Sequence, residues 1–239
     1  MTLINLILMK NKIFPVCLIA VIFLHIQGCN KDTEPESVPD IDGNEYGTVT
    51  IGTQTWMIAN LKTTRYNDGT EIPNVVDNAE WGATTTGAYC WFKNDMSYKN
   101  PHGALYNWYS VNTGKLCPSA WRVASDQDWF ELIDYLGGKS VAGGKLKTPG
   151  GWFEPNTGAT NESGFTASPG GKRVGFITEF PDQIGHFSTI EIETSAYWWS
   201  STEFSAIEAY YSHVMYSSIH VENHYLNKSY GFSVRCIKD

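Results

Sequence analysis

The clearest local signal in the chain is a capped helix at residues 125–136. Ser125 stands where an N-cap is needed, with Asp128 three residues later and Asp126 also near the positive end. Trp129, Leu132, Ile133 and Leu136 then repeat at helical spacing, and Gly137-Gly138 ends the run. Weaker helical signals lie at residues 104–111, where Leu105, Trp108 and Tyr109 share a face, and at 141–146. Residues 48–51 and 55–58 read as a hairpin turning at Gly52, 67–69 as a turn, and 89–92 as a short strand. From Gly150 onward the apolar runs are short pieces among Gly and Ser: 165–167, 174–176, 197–200, 209–213, 214–221 and 230–237. Helices first and strands later point to an α+β domain, not to a doubly wound sheet. Twenty-two glycines and an aromatic fraction of 14% suit turns and short strands better than long helices.

The amino-terminal 28 residues are of another kind. Lys10 and Lys12 precede an almost wholly apolar run, 13–26, which is shorter than the roughly 20 residues a membrane span needs. This is the layout of a secretory signal peptide. The run closes on Ile26-Gln27-Gly28-Cys29, which resembles the lipobox of bacterial lipoproteins. The resemblance implies cleavage before Cys29 and lipidation of Cys29, with outer-membrane lipid as the partner of the mature chain. Residues 29–44 follow as an acidic, flexible tether carrying Asp32, Glu34, Glu36, Asp40 and Asp42 against Lys31 alone, stiffened by Pro35 and Pro39. An acidic stretch just after a lipidated cysteine resembles the surface-export signal of Bacteroidetes lipoproteins. The expected location is the outer membrane with the domain exposed at the cell surface; a periplasm-facing lipoprotein is the alternative. The domain itself is expected over residues 45–239.

Composition excludes two classes. An apolar fraction of 42% argues against general disorder, and 17 basic against 25 acidic residues, net −8, argues against a nucleic-acid partner.

Six blocks carry a family resemblance. They are residues 49–61, reading VTIGTQTWMIANL; 103–108, GALYNW; 117–126, CPSAWRVASD; 164–171, GFTASPGG; 198–203, WWSSTE; and 228–236, KSYGFSVRC. Their order and spacing resemble the Fibrobacter succinogenes major paralogous (FISUMP) domain over nearly all of residues 45–238. That family is similar to C-type lectin-like domains. The resemblance implies an α+β, C-type lectin-like fold with short strands, two main helices and long loops. It also implies that the strand leading into the helix region lies near the terminal strand, so Cys117 and Cys236 are the expected disulfide pair. Cys90, Ala120 and Val123-Ala124 depart from the family pattern. Cys90 is read as a buried small hydrophobe beside Trp91.

No catalytic constellation emerges: the chain has no nucleophile elbow, phosphate-binding glycine loop or zinc-protease motif. His220, Glu222 and His224 alternate as metal ligands on a strand would, but a third partner such as His213 would have to come from elsewhere, and no metal or other cofactor is expected. Glu154-Pro155-Asn156 occurs in calcium-dependent lectins, yet the later Trp-Asn-Asp motif is missing, and the triplet reads more simply as a turn.

The stretch 209–228 is unusually rich in Tyr, His, Ser and Asn, the mixture of rigid amphipathic and adaptable polar contacts found in binding loops. It resembles the variable segment of lectin-fold proteins diversified by retroelements. The expected ligand-binding residues are Tyr210, Tyr211, Tyr216, His220, His224 and Tyr225. Both parities occur among them, so a turn near Ser217-Ser218 is needed for all six to converge. The expected function is a surface-anchored, non-catalytic module for a glycan or protein ligand. A fimbrial-tip or envelope-assembly component is the alternative, and a formylglycine-generating-like enzyme a third. Replacing Cys29 with Ser should abolish incorporation of labelled palmitate and release the protein from the membrane fraction; retention in the membrane with no label in the wild type would refute lipidation.

Overall fold

The computed structural model describes residues 37–188 and 191–239. The expected signal peptide, Cys29 and the first half of the expected tether lie outside the described residues. Among the described residues no helix is long and apolar enough to cross a membrane.

Strand β1 (Ser37–Pro39) pairs antiparallel with β2 (Glu45–Ile51), which turns at Gly52 into β3 (Gln54–Met57). Gly52 has φ +61°, where a side chain would also meet the Tyr135 ring. Helix α1 (Asn78–Ala83) follows, then β4 (Tyr89–Cys90), α2 (Lys99–His102), β5 (Leu105–Tyr106) and α3 (Trp108–Val111). Next come β6 (Trp121–Val123), α4 (Asp126–Tyr135) and α5 (Lys139–Leu146). The last part holds α6 (Glu191–Thr194) and a meander of β7 (Ser195–Glu203), β8 (Glu208–Met215) and β9 (Val221–Asn227), then β10 (Cys236–Lys238). The terminal strand inserts between β3 and β6, giving a five-stranded sheet in the order β1-β2-β3-β10-β6, antiparallel at each pairing. A two-stranded sheet (β4-β5) and the three-stranded meander (β7-β8-β9) complete the architecture.

The α+β class is as expected, but the count of helices is not. Six α-helices stand among the described residues where two main ones were expected; only α4 and α5 exceed six residues. The helix read at residues 104–111 is split into β5 and α3. Asn107 breaks it: its side-chain oxygen accepts from the Ser110 and Ala88 amides, while the Tyr106 amide and carbonyl pair with Phe232. The expected tether also ends early. Asp40 Oδ1 accepts from the Asp42 and Asn44 amides and Oδ2 from the Tyr46 hydroxyl at 2.6 Å, while Asp42 accepts from the Thr64 amide. Carboxylates that look like solvated spacer charge in sequence are turn caps of the domain.

Helix α4 forms as its cap predicts. Ser125 Oγ accepts from the Asp128 amide, and Asp128 returns the bond by accepting from the Ser125 amide at 2.7 Å. Its apolar stripe enters one core with Trp56, Phe165, Trp198, Val214 and Ile237. Trp129 lies 5.1 Å from Trp56 and 5.6 Å from Trp198, centroid to centroid. A second core holds Tyr46, Tyr106, Trp108, Trp199, Tyr211 and Phe232. Strand β7 serves both, because alternate side chains point to opposite faces: Trp198 enters the first core, Tyr197 and Trp199 the second.

Cys117 and Cys236 are bonded, joining the approach to β6 to β10. Cys90 is free and buried, and burial pushes its thiol up to about 12, so it is protonated and inert at neutral pH. Replacing Cys117 and Cys236 together with Ala should lower unfolding free energy by about 4 kcal/mol, since the crosslink spans 119 residues of sequence. Urea titration of the two proteins measures this. Cys90 should take up iodoacetamide only after unfolding.

Candidate functional site

The carboxyl-terminal meander settles where the expected binding residues go, because register assigns each to a face. Tyr211 pairs with Trp199 on one side and His224 on the other; His213 pairs with Tyr197 and Glu222. Cross-strand partners share a face, so Tyr197, Trp199, Tyr211, His213, Glu222 and His224 lie together. Tyr210 pairs with Tyr225, on the opposite face.

The six expected residues therefore do not form one surface. Tyr211 and His224 share a face, but Tyr211 is buried in the core and contributes its ring mainly to Trp199 and Phe232. Tyr210 and Tyr225 join Phe204 in a separate cluster, with the Phe204 and Tyr225 rings stacked at 3.7 Å. The turn between β8 and β9 exists, but it carries Tyr216 and His220 beyond the last paired residues, Val214 and Val221. There Tyr216 packs on Phe153, and His220 is exposed while its carbonyl lies against Gly143. A hairpin turn preserves the pairing of faces, so it cannot merge the two parities that the numbers contain.

What register does assemble is a polar and aromatic face that composition alone did not reveal. The His213 ring stacks on Tyr197 at 4.2 Å with an interplanar angle of 2°. Glu222 stands between two histidines, its Oε2 3.2 Å from His224 Nε2 and 3.9 Å from His213 Nδ1. Tyr197 donates its hydroxyl to Glu191 Oε1 at 3.2 Å, and Lys172 Nζ pairs with the same oxygen at 3.0 Å. The Lys172 ammonium also lies 4.9 Å from the Tyr197 ring centroid. Lys172, Glu191 and Tyr197 were missed in sequence, although the alternation of Tyr197 and Trp199 about Trp198 carried a signal for the last.

Two buried groups here are left open. His213 Nε2 and Glu191 Oε2 have no hydrogen-bond partner among the described residues. Burial lowers the His213 ring to about 4, against the pull of Glu222, so the imidazole is neutral at pH 7. Beside them Glu222 and His224 are about half exposed, at 51% and 54% of their side chains. The arrangement sets two buried polar atoms without partners among the described residues beside an exposed carboxylate–imidazole pair.

The other sequence candidates resolve simply. Among the described residues no group of three or more His, Cys, Asp or Glu is placed to hold a metal ion. Asn156 is buried in a turn, its amide donating to the Thr148 and Pro149 carbonyls at 3.0 and 3.1 Å.

His213 makes a pH prediction. Its folded pKa lies below the unfolded value of about 6.5, so its stabilising contribution is complete above that value and is lost as pH falls toward 4. The loss should reach up to about 3 kcal/mol. Urea midpoints at about pH 7 and about pH 4.5 should differ more for the wild type than for His213→Phe. Equal differences would show that this ring does not carry the effect.

The family model of the Fibrobacter succinogenes major domain matches residues 49–238, from within β2 to the last residue of β10. No curated protein and no solved structure matches the chain. The matched span takes in the first core, the second core apart from Tyr46, the disulfide and the whole meander, and the chain belongs to the Fibrobacter succinogenes major domain family.

Proposed function

We propose that the chain is a lipid-anchored, surface-displayed binding module without catalytic activity. In this reading the face of β7-β8-β9 bearing His213, Glu222 and His224 receives a glycan or protein ligand. The observation that carries it is the pair of buried, unpartnered atoms, His213 Nε2 and Glu191 Oε2, beside half-exposed Glu222 and His224. An unsatisfied buried polar atom costs about 1–3 kcal/mol, and a ligand hydroxyl or amide that satisfies it recovers much of that.

A second reading, an envelope-assembly component, is supported by a different feature. Strand β9 pairs only with β8 among the described residues, and Phe204, Ile207 and Tyr225 are exposed at the far end of the meander. A free strand edge beside apolar side chains suits strand addition by a partner.

The test is an array of glycans and cell-surface proteins probed with the chain, followed by calorimetry of variants on each hit. Binding should persist in chelator and weaken by about 2 kcal/mol in Glu222→Gln or His224→Ala, while Phe204→Ser and Tyr225→Ser leave it unchanged. The opposite pattern would move the site to the Phe204 cluster and favour assembly. Full affinity in all four variants would place the site elsewhere.

A further inference from the structure

A cavity of about 400 Å³ lies away from the meander face, where the chain leaving β3 meets α2 and the loops at 148–151 and 166–169. Ile58, Ala59 and Pro169 are among its apolar walls, and two lysines, Lys62 and Lys99, also line it. No carboxylate lines it, although acidic residues outnumber basic ones in the chain. Lys62 Nζ donates to Asn100 Oδ1 at 2.7 Å, and Lys99 Nζ lies 5.9 Å from the Trp91 ring centroid. Neither lysine has an ion-pair partner among the described residues. Burial, and then the charge of Lys99, holds Lys62 below the usual lysine range, with the charge of Asp40 opposing them. An anion placed there removes that repulsion.

The third polar group narrows the ligand. His102 lines the same cavity, and its Nδ1 is buried with no hydrogen-bond partner. Burial lowers this ring's pKa below the usual value, so the imidazole is neutral at pH 7. A ligand carboxylate could satisfy Nδ1 only in the tautomer that carries the proton there, whereas a hydroxyl, which both donates and accepts, satisfies it in either. Asn60, which forms part of the wall, fixes His102 by donating Nδ2 to its carbonyl at 2.8 Å. The cavity thus combines an apolar wall, two lysines without ion-pair partners among the described residues and one unpartnered ring nitrogen, within the size range of small-ligand sites.

We propose that this cavity binds a small hydroxylated carboxylate, the carboxylate meeting the Lys62 and Lys99 ammonium groups and a hydroxyl sharing a hydrogen bond with His102 Nδ1. This site is separate from the meander face and does not depend on the reading given for it.

Calorimetry on the purified full chain tests the proposal, with D-glucuronate as the probe and D-glucose, acetate and inorganic sulfate as controls. Glucuronate should bind, and glucose and acetate each at least about tenfold more weakly, since each lacks one half of the recognition. Lys62→Gln and Lys99→Gln should each weaken glucuronate by about tenfold and leave the thermal midpoint near that of the wild type. His102→Phe should weaken glucuronate but not acetate. Absence of glucuronate binding up to on the order of 10 mM would overturn the proposal. So would wild-type affinity in the Lys62→Gln/Lys99→Gln double variant. Sulfate binding as tight as glucuronate, unaffected by His102→Phe, would overturn the hydroxyl contact and with it the ligand class.

Discussion

The fold turns on one buried guanidinium. Arg235, just before the terminal strand, is wholly inaccessible and has no carboxylate partner among the described residues. It donates to Asn60 Oδ1, to the Met57 and Phe165 carbonyls at 2.8 Å each, and to the Thr166 carbonyl at 3.0 Å, with the Phe165 ring against its face. Asn60 Oδ1 also accepts from Trp198 Nε1, and its Nδ2 donates to His102 and Ser233. One charge and one amide therefore link the chain after β3, the loop at 165–166, β7, α2 and the approach to β10. Burying a charge is costly unless its donors are used. Here four of the five N–H donors have acceptors, at least one on each nitrogen, so the position of each joined segment is tied to the same requirement.

Two further cations repeat the device. Arg173 donates to the carbonyls of Gly185, Val75, Val76 and Asp77 while its guanidinium lies 4.5 Å from the Trp81 ring centroid. Lys147 is fully buried and donates to the carbonyls of Thr157, Met215, Tyr216 and Ser218. Both serve backbone with few ladder bonds of its own. A domain with long irregular segments has many carbonyls to satisfy, and multi-donor side chains meet that need where strands do not. Three of the carbonyls that Lys147 gathers, those of Met215, Tyr216 and Ser218, lie at the turn between β8 and β9, so a lysine outside the meander braces that turn.

This explains which parts of the molecule were legible in the sequence. The hairpin about Gly52, the Ser125 cap and the stripe of α4 are local, and periodicity and cap chemistry were enough to read them. The Cys117–Cys236 bond followed from the family resemblance. The candidate face was not legible, because it depends on which residue of β8 stands opposite which residue of β7 and β9. Tyr210 and Tyr211 are neighbours of the same type, yet one joins Phe204 and Tyr225 and the other joins the core. Asp40 and Asp42 misled for a related reason: their turn partners, Asn44, Tyr46 and Thr64, give no charge signal in sequence. The helix expected across Asn107 failed because its amide side chain bonds to Ala88, nineteen residues away.

The two candidate surfaces share this scaffold in a specific way. Strand β7 sends Trp198 to Asn60 and, on its other face, places Tyr197 beneath His213. Asn60 in turn holds the His102 carbonyl at the wall of the lysine-lined cavity. A rigid centre is thus one bond from one site and one strand-width from the other. Preorganisation of this kind lowers the ordering cost of binding, because the polar groups that would contact a ligand are already oriented by buried bonds. It also separates two tasks by location. Residues that fix geometry, such as Arg235, Asn60 and Trp198, are almost wholly buried, while Glu222, His224, Lys62 and Lys99 keep solvent access and use few internal bonds. The second group can change without disturbing the first, because its side chains carry little of the packing.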